Sequence, residues 1–253
     1  AFTINNVSSS TISLQTGNDT AQVRRESGIL VGHTSDTQGV MFSAYKFSAS
    51  QVRVRGYNRA GANAIMPDGY FYTREIDKNN STYKNSKSFD PPSIAGFASS
   101  LTTLVVLGAK LGDFVVANFS VDNEDVNVFG YVSSEDTATI YFVNRASSVR
   151  DLASGILSVY VIGNMFTYSN KVTYDNPALS ANAGATTTVS VEGAKLGDIA
   201  QFSLGVDLQG IVGYAWVSAI DTVSVRFQNE SGIAIDLASS DLRVGVIERP
   251  TSM

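Results

Sequence analysis

The sequence predicts an all-β protein, with two tandem homologous small β-sandwich or barrel domains following an N-terminal, extended β-rich segment. Three observations lead there. Gly108-Ala109-Lys110-Leu111-Gly112-Asp113 returns as Gly193-Ala194-Lys195-Leu196-Gly197-Asp198, an offset of 193 − 108 = 85, and a fixed period of this size marks a repeated structural unit. Stretches such as Thr222-Val223-Ser224-Val225-Arg226-Phe227-Gln228 alternate apolar and polar side chains, the period of a half-buried strand. Clusters of Gly, Asp, Asn and Ser separate these stretches at short intervals, as turns do in antiparallel sheets.

The repeat is long and ungapped. Laying residues 108–162 on 193–247 gives 22 identities in 55 positions, among them Asp136-Thr137 on Asp221-Thr222, Asn144 on Asn229, and Asp151-Leu152-Ala153-Ser154 on Asp236-Leu237-Ala238-Ser239. In the first copy Thr102–Leu107, Phe114–Ser120 and Val126–Tyr131 read as strands, about five to a copy, with a short helix allowed over Val149–Ala153. The chain divides into 1–92, 93–167 and 168–253. Pro91-Pro92, which lack ladder donors, mark the first boundary, and turn residues such as Asn176-Pro177 mark the second.

Residues 1–92 differ in charge. Their balance is 10 − 7 = +3, against 8 − 16 = −8 for residues 93–253. Gln51-Val52-Arg53-Val54-Arg55 and Tyr70-Phe71-Tyr72 read as strands, the latter leaving a Pro67-Asp68-Gly69 turn, and Asn79–Ser88 reads as a polar loop. The expectation is a loosely packed docking segment, unique in the chain. Its partner contacts would be Arg24, Arg25, Arg53, Arg55, Arg59, Tyr70, Phe71 and Tyr72. Arg53 and Arg55, two apart on a strand, share a face suited to an acidic surface.

Composition narrows the chemistry. Hydrophobic residues are 43% and charged residues 16%, with a net charge of −5, which excludes overall disorder. There is no cysteine and one histidine, His33. That excludes a disulfide framework, a thiolate nucleophile and a multi-histidine metal site. No apolar run reaches the ~18 residues of a membrane helix. Ala1 reads as the mature start of a protein made in the cytoplasm, and the Asn-x-Ser/Thr triplets read as chance.

Each candidate motif has a plainer reading that fits better. Gly-Ala-Lys-Leu-Gly-Asp lacks the Lys-Ser/Thr ending of a phosphate loop and reads as a hairpin turn. Asp122-Asn123-Glu124-Asp125 carries oxygen ligands for a Ca²⁺ but reads as a solvated loop, since copy two keeps one carboxylate. The duplicated Asp113/Asp198, Asp136/Asp221 and Asp151/Asp236 sit at turn positions rather than in one cleft. His33, in Gly32-His33-Thr34-Ser35-Asp36, reads as a polar loop residue rather than part of a triad. Val212, Tyr214 and Trp216 form one strand face, matched by Phe129 and Tyr131, and read as core. An overall pI near 4.9 argues against nucleic acid as a partner. No catalytic, cofactor or metal residue is assigned.

The run Val217–Gly232, followed by Ile235-Asp236-Leu237-Ala238 and Leu242-Arg243-Val244 and preceded by Gly193–Asp198, resembles a small β-rich module of tailed-bacteriophage virion proteins of the cyanophage type. The resemblance covers 193–247 well and 108–162 less well, and does not reach residues 1–92. It implies a non-enzymatic structural role in the virion, assembled in the host cytoplasm, as a capsid decoration (cement) protein or head fibre. The partners it implies are the major capsid protein or other virion proteins. A homo-oligomer, with a trimer favoured, is expected, without cofactor, nucleic acid or membrane. The competing reading is a tail-fibre, receptor- or carbohydrate-binding module.

Overall fold

In a computed structural model, residues 2–4, 9–15, 28–35, 40–48, 51–58, 64–66, 70–77, 79–163 and 165–249 are described. They form 19 strands and no helix. The N-terminal unit comprises β1 (Phe2–Ile4), β2 (Ser9–Gln15), β3 (Gly28–His33), β4 (Val40–Ser48), β5 (Gln51–Asn58), β6 (Ala64–Met66) and β7 (Phe71–Ile76). The first repeat comprises β8 (Tyr83–Phe89), β9 (Ser99–Val105), β10 (Phe114–Phe119), β11 (Val126–Ser134), β12 (Thr137–Asn144) and β13 (Gly155–Ile162). The second comprises β14 (Tyr168–Tyr174), β15 (Gly184–Ser190), β16 (Ile199–Leu204), β17 (Ile211–Ala219), β18 (Thr222–Asn229) and β19 (Ser240–Ile247). The fold is all-β, built from small antiparallel sheets, and each strand of the second repeat lies 85 residues after its counterpart.

Each repeat has six strands in two three-stranded sheets, ordered β10-β13-β8 and β11-β12-β9 in the first, β14-β19-β16 and β15-β18-β17 in the second. The sheets close over a core of alternate side chains, such as Leu104, Phe119, Ile140, Phe142, Leu157 and Val159 in the first repeat. Each such side chain contributes roughly 1.5–3 kcal/mol by leaving water. The first strand of repeat one lies in the stretch expected to be a loop, and before the boundary drawn at residue 92. Tyr83–Phe89 has no clean alternation, because its side chains face mostly outward, but its backbone pairs with β13 from Tyr83↔Val161 to Phe89↔Gly155. No helix forms over Val149–Ala153; Arg150 instead bridges to Ile94.

The repeated hexapeptide is not a hairpin. It carries the chain from β9 in one sheet to β10 in the other. Gly108 and Gly193 have φ of 91° and 92°, and a Cβ on either would stand 2.5 Å from the ring of Tyr83 or Tyr168. Only glycine meets both demands. Asp136 and Asp221, themselves at φ of 59° and 58°, accept the N–H of Gly108 at 2.6 Å and of Gly193 at 2.7 Å. Asp113 and Asp198 accept the N–H of Lys110 and of Lys195 at 2.9 Å.

The N-terminal unit is a third copy of the same module. β10 and β13 pair through Phe114↔Ile162, and β3 and β7 through Gly28↔Ile76; both partners move by 114 − 28 = 162 − 76 = 86. β11 and β12 pair through Val126↔Asn144, and β4 and β5 through Val40↔Asn58, again shifted by 86. The bulge recurs in all three units, at Lys46/Ser48, Val132/Ser134 and Val217/Ala219. β2 pairs β5 as β9 pairs β12. Two details differ. A single bridge, Ile29↔Ala44, joins β3 to β4 and makes one five-stranded sheet, and β1 pairs with β6 instead of β7. The expectation of a unique, loosely packed segment is therefore corrected: Val40, Met41, Val52, Val54 and Ile76 are buried as in any core.

Asn58, Asn144 and Asn229 end the equivalent strands β5, β12 and β18, and all three are buried. The Asn144 amide donates to the carbonyls of Ile94, Ala95 and Ser148 at 2.8–3.0 Å. The Asn229 amide does the same to Leu179, Ser180 and Ile233. Either asparagine replaced by alanine loses a buried side chain together with its hydrogen bonds to three carbonyls, so Asn144→Ala and Asn229→Ala should each lower unfolding free energy by about 2–3 kcal/mol in urea titrations.

Candidate functional site

The three modules meet along one line. Ile76, Ile162 and Ile247 end equivalent strands and fall in a single buried cluster with Leu30, Phe114, Val116 and Ile199. At the other end, Arg145 of the first repeat pairs with Glu230 of the second, with side chains 3% and 4% exposed. The two occupy the same position, since 230 − 145 = 85. The Arg145 guanidinium also lies 5.2 Å from the ring centroid of Tyr57, one residue before Asn58. Burial pushes the Tyr57 hydroxyl up to about 12, against the pull of the Arg55 and Arg145 charges. Between these ends lies a cavity of about 130 Å³. Equivalent strands of all three modules line it, through residues such as Val31, Phe42, Ala117, Phe129, Phe202 and Tyr214.

Contacts around this line run head to tail. Tyr45 of the N-terminal module donates its hydroxyl to Asp122 of the first repeat at 2.9 Å. Tyr131 of the first repeat donates to Asp207 of the second, and burial, with Tyr141 and Asp207 nearby, pushes its hydroxyl up. These are equivalent links, since 131 − 45 = 86 and 207 − 122 = 85. A second set runs through the hexapeptide turns. Ser203 Oγ of the second repeat donates to the Gly112 carbonyl of the first at 2.7 Å. At the matching place in the N-terminal module stands Gly32, where a Cβ would lie 2.7 Å from the Asp198 carbonyl oxygen of the second repeat. Phe42 and Tyr214 close the same interface edge to face at 6.2 Å. Every pair of modules is thus in contact, in one cyclic sense. Contacts that join unlike patches form a closed ring when the rotation closes.

This geometry gives the basic strand and the acidic loop partners within the chain. Arg53 and Arg55 do share a face, and it meets acid, but within the chain. Arg53 pairs with Asp122 at 3.0 Å and Arg55 with Asp125 at 3.5 Å. Arg150 reaches Glu124 at 3.2 Å and also pairs with Asp125. The loop read as solvated keeps Asp122 and Glu124 exposed and also clamps two modules together through Arg53 and Arg55. Burial raises the Asp122 carboxyl, but the Glu124 amide, the Tyr45 hydroxyl and the charges of Arg53 and Arg55 outweigh it and hold the group below its usual range. Arg24, Arg25 and Arg59 lie outside the described residues. Phe71 packs on His33 and Phe42, Tyr72 lies under Arg249 at 6.0 Å, and Tyr70 is exposed.

Val212, Tyr214 and Trp216 are buried, as core should be, but between modules rather than inside the second repeat. Asp151 and Asp236 are exposed at equivalent loop positions. Among the described residues no group of three or more His, Cys, Asp and Glu side chains comes together. His33 is not a loop residue. It ends β3, buried, at the place held by Phe119 and Leu204 in the repeats. Its Nδ1 accepts the Ser35 N–H at 3.1 Å.

Comparison with models of known families, with curated proteins and with solved structures finds no match to this chain.

Two outcomes follow from these buried groups. Burial lowers the His33 pKa from 6.5, outweighing its Ser35 contact. The unfolded chain therefore binds a proton first, and stability should fall as pH drops below about 6.5. His33→Phe should remove that part of the loss, read as the difference in urea midpoint between pH 7 and pH 5. Glu230→Ala leaves a buried guanidinium uncompensated and should cost about 3–5 kcal/mol, whereas the joint change Arg145→Met with Glu230→Leu should cost far less.

Proposed function

We propose that this chain is a non-enzymatic structural protein of a bacteriophage virion, a capsid decoration (cement) protein or head fibre that binds and stabilises the shell. Its partner on this reading is the major capsid protein or another virion protein. One observation carries it: three copies of one module close into a ring, and the arginines Arg53, Arg55 and Arg145 hold its junctions through carboxylates of a neighbouring module. Arg53, Arg55, Arg145 and Arg150 all face carboxylates of another module or of the neighbouring loop. The repeated Asp113/Asp198 and Asp136/Asp221 fix turns. Such a molecule is suited to packing against a repeating surface. The resemblance of 193–247 to phage virion modules supports the same reading. A glycan platform is less well supported, because Tyr214 and Trp216 are enclosed between modules.

The test is occupancy and stabilisation of particles. Purified virions should contain the chain in many copies per particle. Particles stripped of it should rupture at a lower temperature in a fluorescence melt, and added chain should restore the original temperature. Unchanged melting after stripping, or binding on a glycan array without particle binding, would reject the proposal.

A further inference from the structure

We propose that one copy of this chain occupies a threefold axis of its partner assembly, module for module, so that the functional trimer is a trimer of modules within one chain rather than of chains. This rests on the virion reading above and adds its geometry and stoichiometry.

The ring is complete without a second copy. The equivalent strands β3, β10 and β16 all touch one another, so the run of contacts from the N-terminal module to the first repeat, to the second and back is closed. Ile76, Ile162 and Ile247 seal one end of the axis. At the other end the two repeats have diverged in charge. A homotrimer of a single module would bring three like residues together at the position of Arg145 and Glu230. Here the sequence carries Arg59, Arg145 and Glu230 at the three equivalent positions; Arg145 and Glu230 pair, and Arg59 lies outside the described residues. That complementarity is useful only when the modules share a chain in fixed order.

The same end of the axis carries the docking face. Arg145 and Glu230 begin the loops that Asn144 and Asn229 anchor. Those anchored segments expose large apolar side chains: Phe97 at 53%, Val149 at 60% and Ile233 at 70%. Phe97 holds φ of 57°, an unfavourable conformation for an aromatic residue, and its equivalent is Asn182 at φ 62°. An exposed Phe kept at a position that suits Asn is explained by a partner, not by the fold. Exposed Asp151 and Asp236 accompany the apolar side chains, one per repeat. The face therefore fits a threefold vertex that offers apolar sockets flanked by Lys or Arg. The matching loop of the N-terminal module, residues 59–63, lies outside the described residues.

Sedimentation of the full chain should give a single species at the monomer mass of 26.9 kDa; a stable dimer or trimer of chains would overturn the inference. Cryo-electron microscopy of virions should then show one chain on each occupied threefold axis. Three chains per axis, or chains on other axes only, would overturn the inference and leave the virion reading standing. Absence of the chain from the shell would overturn both. Phe97→Asn and Ile233→Ser each install the residue of the sister repeat, so the fold is retained. Each should weaken binding to stripped particles at least tenfold, with circular dichroism unchanged; undiminished binding by both variants would remove the proposed face.

Discussion

The interaction on which the architecture depends is the buried meeting of equivalent positions along one line. When three copies of a module surround an axis, residues near it face their own counterparts. Apolar residues tolerate this, as Ile76, Ile162 and Ile247 do. Charged residues do not, because like charges in a low-dielectric setting repel strongly. Between the two repeats the chain meets this by making position 145 arginine and position 230 glutamate, with the Arg145 guanidinium over the Tyr57 ring. A buried pair of this kind adds little net stability but penalises every arrangement that separates its members. It therefore fixes which module neighbours which, and through that the direction of the Tyr45–Asp122 and Tyr131–Asp207 links.

Much of the fold was legible because the two repeats preserve what their turns require. The hexapeptide keeps both glycines and its aspartate, and Asp136 and Asp221 stay with them, because backbone amides and positive φ angles leave few substitutes. Asn144 and Asn229 persist for a related reason: each buried amide ties three carbonyls of separate segments together. The third copy was hidden by divergence at the hexapeptide and at its partner aspartate, where Ser50 stands against Asp136. Its offset is 86 rather than 85, and β2 lies 105 − 15 = 90 residues before β9, so an ungapped comparison loses register. It also lacks the hexapeptide. Asn58-Arg59-Ala60 against Asn144-Arg145-Ala146, with Gly69 against Gly155 and Ile76 against Ile162, was the signal available.

The candidate site was legible in residue type and not in partnership. That Arg53 and Arg55 share a face follows from strand geometry, and that an acidic surface should meet them follows from charge. Nothing in the linear order places Asp122 and Asp125 there, because the contact spans the junction of two modules. His33 shows the converse. Its neighbours Thr34, Ser35 and Asp36 suggested a polar turn, yet the module places it at a core position. Local composition describes the chain's surroundings in sequence; burial is set by the sheet that folds over it.

The ring also explains why differences between repeats carry more information than their likeness. Positions that serve the module's interior are shared: Phe142 with Phe227, Leu157 with Leu242, Val159 with Val244. At the module junctions several positions differ between copies: Arg145 with Glu230, Tyr131 with Trp216, Gly32 with Ser203. A chain that needed only a larger core would have no reason to divide its residues this way. Each junction has a different environment, and each copy has been adjusted to the one it occupies. Exposed positions that differ without facing another module, Phe97 against Asn182 and Ile233 against Ser148, have no such internal reason, and by the same logic their differences answer to a surface outside the chain.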